Sequence, residues 1–133
     1  MKRLGVTANC EKSDAASALA RVSATASALG LELVVCDETA RSLRGARRTV
    51  PARFARQIDA LLALGGDGTM LRAVRLLAGA DVPLMGVNLG SLGFLTSVAE
   101  ENLEQAMRAL AAGLCRQSLR SAALARLRRG RKT

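Results

Sequence analysis

The chain has 133 residues, enough for one domain. Half of them are hydrophobic, yet there is no Trp or Tyr and only two Phe, Phe54 and Phe94, so Ala, Leu and Val must fill the core. The net charge is +9, and the absence of His excludes a Ser–His–Asp centre, a His-ligated metal and imidazole acid–base catalysis within the chain. In chain order, Arg3–Ala8 reads as a short strand. Ser13 and Asp14 are helix-starting residues ahead of Ala15–Leu29, where Leu19, Val22, Ala26 and Leu29 recur on one helical face. Gly30 stands where a helix-ending glycine belongs. Leu31–Cys36 reads as a second strand, apolar on both faces, as a parallel sheet requires.

Residues 37–56 are basic and unpatterned, and read as a surface loop or short helix ending near Pro51. Ile58–Leu64 is a third strand, interrupted only by Asp59. The sequence Gly65-Gly66-Asp67-Gly68-Thr69 follows, then a helix over Met70–Gly79 with Met70, Ala73, Val74 and Leu77 inward. Leu84–Asn88 is a fourth strand, Leu89–Thr96 a glycine-containing turn, and Glu101–Ala112 a helix closed by Gly113. Beyond Gly113 no convincing strand is found. Alternating strands and helices imply an α/β fold, a Rossmann-like parallel sheet flanked by helices. Residues 1–115 form the expected domain and 116–133 a basic tail.

That tail holds seven basic residues and no acidic one, leaving 13 basic against 11 acidic residues before it. A solvated charge run is the commoner meaning of such a tail, and without aromatic platforms for stacked bases nucleic acid is not an expected partner. Cys10, Cys36 and Cys115 are widely spaced and form no CxxC, which points to reduced, mostly buried thiols in a cytoplasmic protein. Leu4–Ala8 is too short for a signal-peptide core, and no apolar run approaches the roughly 20 residues of a membrane span.

The informative segment is the glycine loop. Glycines remove Cβ atoms, so a diphosphate can approach the backbone while N–H groups converge on it. The following helix adds partial positive charge at its amino terminus. Asp67 is the odd member, because a carboxylate repels phosphates. It either caps the helix, a role Thr69 could also fill, or accepts a hydroxyl proton during phosphoryl transfer. The loop is neither GxxxxGK[ST] nor GxGxxG, and no lysine is in reach along the chain. Arg72 either reaches a phosphate beside the loop or is a solvated helix arginine. A second glycine segment, Asn88-Leu-Gly-Ser-Leu-Gly-Phe94-Leu95, follows the next strand and so lies at the same sheet edge. Alone, it reads as a plain turn with Leu92 and Phe94 in the core.

GGDGT followed one strand later by NLGSLGFL resembles the NAD kinase (ATP-NAD kinase) family, over about residues 3–120 and its amino-terminal domain only. The resemblance implies ATP-dependent phosphorylation of the 2′-hydroxyl of NAD to NADP with a divalent cation such as Mg, in a protein that is homo-oligomeric when complete. It implies that Asp67 is the proton acceptor and that Asp67 and Gly68 contact NAD. Gly65, Gly66 and Thr69 then surround the phosphates, and Arg72 and Phe94 match positions near the dinucleotide in some members. It leaves open ATP or polyphosphate as donor and NAD or NADH as acceptor. Family members continue into a mostly β domain. Here AALARLRRGRKT stands where its first strand would begin, so the chain is expected to be truncated and incomplete as an enzyme. The alternatives are an inactive nucleotide-binding fragment or another GGDGT-type kinase, such as a lipid kinase.

Overall fold

A computed structural model describes residues 1–130; Arg131–Thr133, the end of the basic tail, lie outside the described residues. The strands are β1 (Arg3–Ala8), β2 (Glu32–Val35), β3 (Arg47–Arg48), β4 (Ala60–Gly65), β5 (Leu84–Asn88) and β6 (Val98–Ala99). The helices are α1 (Ala15–Leu29), α2 (Pro51–Phe54), α3 (Asp67–Leu77) and α4 (Leu103–Ala111). The six strands form one sheet in the order β3-β2-β1-β4-β5-β6, every pair parallel. The expected Rossmann-like parallel sheet is therefore observed, with the strand order of dinucleotide-binding folds.

The central strands are buried on both faces, and their alternation separates two cores. Leu62 and Leu64 of β4 join Leu4 and Val6 of β1 against α1 and α4, where Leu19, Val22, Leu103 and Met107 meet them. Leu61 and Ala63 face the other side, with Phe54, Ile58, Ala73 and Leu77. Gly5 makes that second core possible. A Cβ there would sit 2.8 Å from the Phe54 ring and 2.7 Å from Ile58 Cδ1. With so few aromatic residues, the one fully buried Phe is seated directly over a missing side chain.

Local signals mostly held. Gly30 ends α1 at φ 67° with its N–H directed to Ala26 O and Ser27 O. Asp59 sits at the foot of buried β4 because its carboxylate accepts from the Arg3 guanidinium (2.7 Å) and from the Lys2 and Arg3 amides (2.9 and 2.8 Å). Those donors hold it well below the usual carboxylate range, the Arg3 side chain contributing most.

Residues 37–56 contain more structure than expected. There is a 3₁₀ turn at Glu38–Arg41, the two-residue edge strand β3 and the single-turn α2. β3 consists of two exposed arginines, so no apolar pattern announced it. α3 begins three residues before the expected start, at Asp67, and packs through Ala73 and Leu77 with Met70, whereas Val74 is 42% exposed. The contact stripe is narrower than the apolar pattern, and Val74 falls beside it. Regular structure ends with α4; 114–130 has none and is mostly exposed. Among the described residues no helix is long and apolar enough to cross a membrane.

Helices α1 and α4 are joined on the sheet's surface by Arg21, which donates to Glu104 through Nε and Nη2 at 2.6 Å. The Arg21 guanidinium pulls the Glu104 carboxyl down to about 2. A carboxylate whose folded pKa is depressed adds stability above its ordinary pKa of about 4.5 and loses it as pH falls through the folded value. Melting temperature should therefore fall between about pH 5 and pH 2, and Glu104→Gln should make that fall shallower in a pH series of thermal melts. The change is modest, because the two side chains are 31% and 33% exposed.

Candidate functional site

In an open parallel sheet, ligands bind outside the carboxyl ends of the strands where the strand order reverses. That point lies between β1 and β4. β1 leads out to β2 and β3, and β4 leads the other way to β5 and β6. The GGDGT loop leaves β4 at this position, and Asn9 leaves β1 beside it, its N–H bonded to Leu64 O at 2.9 Å. Between them opens a cleft of about 670 Å³.

The three glycines of the loop have different reasons. A Cβ on Gly65 would overlap the Thr69 hydroxyl and stand 2.8 Å from Thr69 Cβ, so Gly65 lets the buried Thr69 tuck beneath the loop. Gly66 and Gly68 have nothing within 4 Å of a built Cβ. Their missing side chains serve no packing need. They keep the wall of the cleft open at the amino terminus of α3, where unpaired backbone N–H groups face outward.

Asp67 is the first residue of α3, and its side chain caps nothing; the residue before the helix is Gly66. Its carboxylate instead crosses to the second glycine segment. Phe94 N–H donates to Oδ2 at 3.1 Å and Leu95 N–H to Oδ1 at 2.9 Å. The structure thus brings the two motifs into direct contact. It does not bury Leu92 and Phe94, which are 84% and 95% exposed. The turn is held by backbone bonds to Asp67 rather than by an apolar anchor, which is why the expected core placement fails.

Arg72 lines the same cleft but is no solvated helix arginine. It folds back onto the sheet edge, donating to Ala8 O and Glu38 Oε1 at 2.5 Å each and to Thr7 Oγ1 at 3.2 Å. Asp37, at the end of β2, accepts from the Thr7 hydroxyl at 2.5 Å and lies 3.8 Å from Arg72. Arg72 therefore ties α3 to the ends of β1 and β2. Its Nε is buried without a partner, so part of its donor capacity is unspent.

Sequence reasoning missed the opposite wall of the cleft, which includes Asn9, Lys12 and Glu38. No lysine is close to the loop along the chain, yet Lys12 lines the same cleft from the loop after β1. The available signal was topological: β1 and β4 pair in parallel, so the loops after them must share an edge. The thiols are also less hidden than expected. All three cysteines are free and half-buried. Burial, with Asp37 next to it, pushes the Cys36 thiol up to about 11.

The reversed strand order with a glycine loop and helix terminus at its switch point defines an α/β domain of the dinucleotide-binding type. The chain belongs to the ATP-NAD kinase family, whose N-terminal domain model matches residues 4–115. It is 37% identical over 108 residues to the NAD kinase of Syntrophotalea carbinolica, covering 77% of this chain and 36% of that protein. It is 36% identical over 116 residues to the NAD kinase of Moorella thermoacetica, covering 87% and 37%. The chain thus spans little more than a third of these relatives. Its fold matches yeast NADH kinase, solved in complex with NADH, with a TM-score of 0.73 at 18% identity over 86% of this chain and 39% of that one.

Proposed function

We propose that this chain carries the phosphate-binding and proton-accepting part of an NAD kinase. The reaction is transfer of the terminal phosphoryl group of ATP to the 2′-hydroxyl of NAD, giving NADP and ADP. The observation that carries this reading is the Asp67 carboxylate at the sheet's switch point, between two glycines whose Cβ positions are open space. In the transfer, the 2′-oxygen forms a bond to phosphorus as the bond to the ADP oxygen breaks. The hydroxyl proton passes to an Asp67 oxygen. Little covalent chemistry falls to the protein in such a step, so positioning and electrostatics dominate.

The residues support these tasks. Gly66 and Gly68 leave room for a polyphosphate at the start of α3, and Lys12, Arg72 and Arg75 bring positive charge to the cleft. The exposed Phe94 ring is free to lie against a base or nicotinamide. We place magnesium on the ATP phosphates, a mode that suits an ion that keeps several of its waters. Residues 1–115 are the nucleotide-binding unit. A reducing, cytoplasmic setting fits three unpaired cysteines. A homo-oligomer is part of the same proposal, with the exposed Leu92 as an apolar contact for a further surface.

The binding step is tested separately from turnover. Gly68→Ala fills open space inside a helix, where Ala is favoured over Gly by roughly 1 kcal/mol. Its melting temperature should equal or exceed wild type, while calorimetric affinity for ATP falls at least several-fold. Undiminished affinity would place the phosphates elsewhere. A coupled assay for NADP formation then distinguishes an enzyme from a protein that only binds nucleotide.

A further inference from the structure

We infer that the turn Gly93–Leu95 is the positioning element of Asp67, and that Gly93 is the residue that permits its grip. The inference rests on the reading of Asp67 as the group that receives the hydroxyl proton.

The ends of the second glycine segment are fixed to the sheet. Leu89 N–H donates to Gly65 O at 2.9 Å, and Ser97 N–H donates to Gly86 O at 3.1 Å. Between these ends the turn has no apolar anchor at Leu92 or Phe94. Asn88 Nδ2 donates to Gly90 O at 2.8 Å where the turn begins, and its far half is held by the pair of bonds from the Phe94 and Leu95 amides to the two Asp67 oxygens. Gly93 is packed against the same carboxylate. A Cβ at position 93 would stand 2.9 Å from Asp67 Cγ and closer still to Oδ1. The atoms met are the end of the Asp67 side chain, so relief of the overlap falls on the carboxylate itself. A side chain at 93 must either expel Asp67 from its position or lift the turn away.

The grip suits a proton acceptor. A half-buried carboxylate without partners turns freely about its terminal bond. One N–H on each oxygen removes that freedom yet occupies only two of about four lone-pair directions. The remaining directions stay available to a substrate hydroxyl. The amides thus hold Asp67 without consuming its capacity to accept, and a misplacement of about 1 Å at such a site is worth roughly 10²-fold in rate.

The test combines two readouts. In the full-length protein, Gly93→Ala should lower kcat for NADP formation about 10- to 100-fold, with KM for NAD changed less than about three-fold, as loss of a purely transition-state advantage requires. Ser91→Ala, on the exposed tip of the same turn, should leave both unchanged. In the 133-residue chain, hydrogen exchange at the Phe94 and Leu95 amides should be slow in wild type and fast in Gly93→Ala, with little change in the central strands. Wild-type kcat in Gly93→Ala beside an inactive Asp67→Asn would overturn the positioning role and leave the base assignment standing. Full kcat in Asp67→Asn would overturn the base assignment first, and this inference with it. Where Gly93→Ala folds poorly or the wild type does not turn over, exchange in Asp67→Ala decides. Faster exchange at Phe94 and Leu95 supports the grip, and unchanged rates overturn it.

Discussion

Under the proposed phosphoryl transfer, Asp67→Asn should reduce kcat for NADP formation by at least two orders of magnitude while leaving the fold intact. Asparagine has the size of aspartate, and its oxygen can still accept one of the two turn amides, so the melting temperature should move by no more than a few degrees. What is lost is a charged oxygen able to take a proton from the 2′-hydroxyl. General-base assistance is worth roughly 10²–10⁴-fold. Because the Asp67 side chain caps nothing at the start of α3, a helix-capping role offers no competing reason for the loss. Steady-state kinetics with NAD and ATP, together with thermal melts, check the expectation. A variant that keeps most of its kcat would return Asp67 to the rank of a loop-to-loop tether.

The largest expected effect on stability is at Phe54. Its ring is fully buried, and its seat is the gap left by Gly5 on β1, with Ile58 beside it. Phe54→Ala leaves a cavity bounded on one side by backbone that cannot move in to fill it. Large-to-small changes of this kind cost about 3–5 kcal/mol. Against a typical total of roughly 5–15 kcal/mol, that removes a large share of the stability. Denaturant melts should show the midpoint falling sharply with the slope conserved. A loss under about 1 kcal/mol would mean that the second core is not organised around this ring.

The fold was readable where sequence signals are local. β1, α1 with its Gly30 terminus, β5 and the helix before Gly113 follow from periodicity and end signals confined to a few residues. β3 was not readable, since two arginines become a strand only by pairing with Val34 and Val35. Of the loop's three glycines, Gly65 is explained by the Thr69 side chain packed against it, and Gly66 and Gly68 are the two with no packing reason. Lys12 and the Arg72–Glu38 pair were hidden, because they meet at the cleft from the loop after β1, the turn after β2 and helix α3, which are neighbours in space and distant in the chain. Leu92 and Phe94 misled for a related reason. Hydrophobic residues were assigned to a core, whereas the turn that carries them is secured by its main chain.

The junction of β1 and β4 has a further thermodynamic meaning. Their register pairs Leu4 with Ala60 and Ala8 with Leu64, residues more than fifty positions apart. The two walls of the cleft are the continuations of these two strands, so neither wall exists until the middle of the sheet has closed. A nucleotide spanning the walls can recognise only the assembled sheet, and its binding energy is coupled to global unfolding rather than to local fraying. A ligand at one hundred times its dissociation constant then stabilises the whole domain by about 2.7 kcal/mol. Under the proposed nucleotide binding, heat resistance becomes ligand-dependent, and a thermal shift with ATP or NAD should report occupancy of the cleft even where no product is formed.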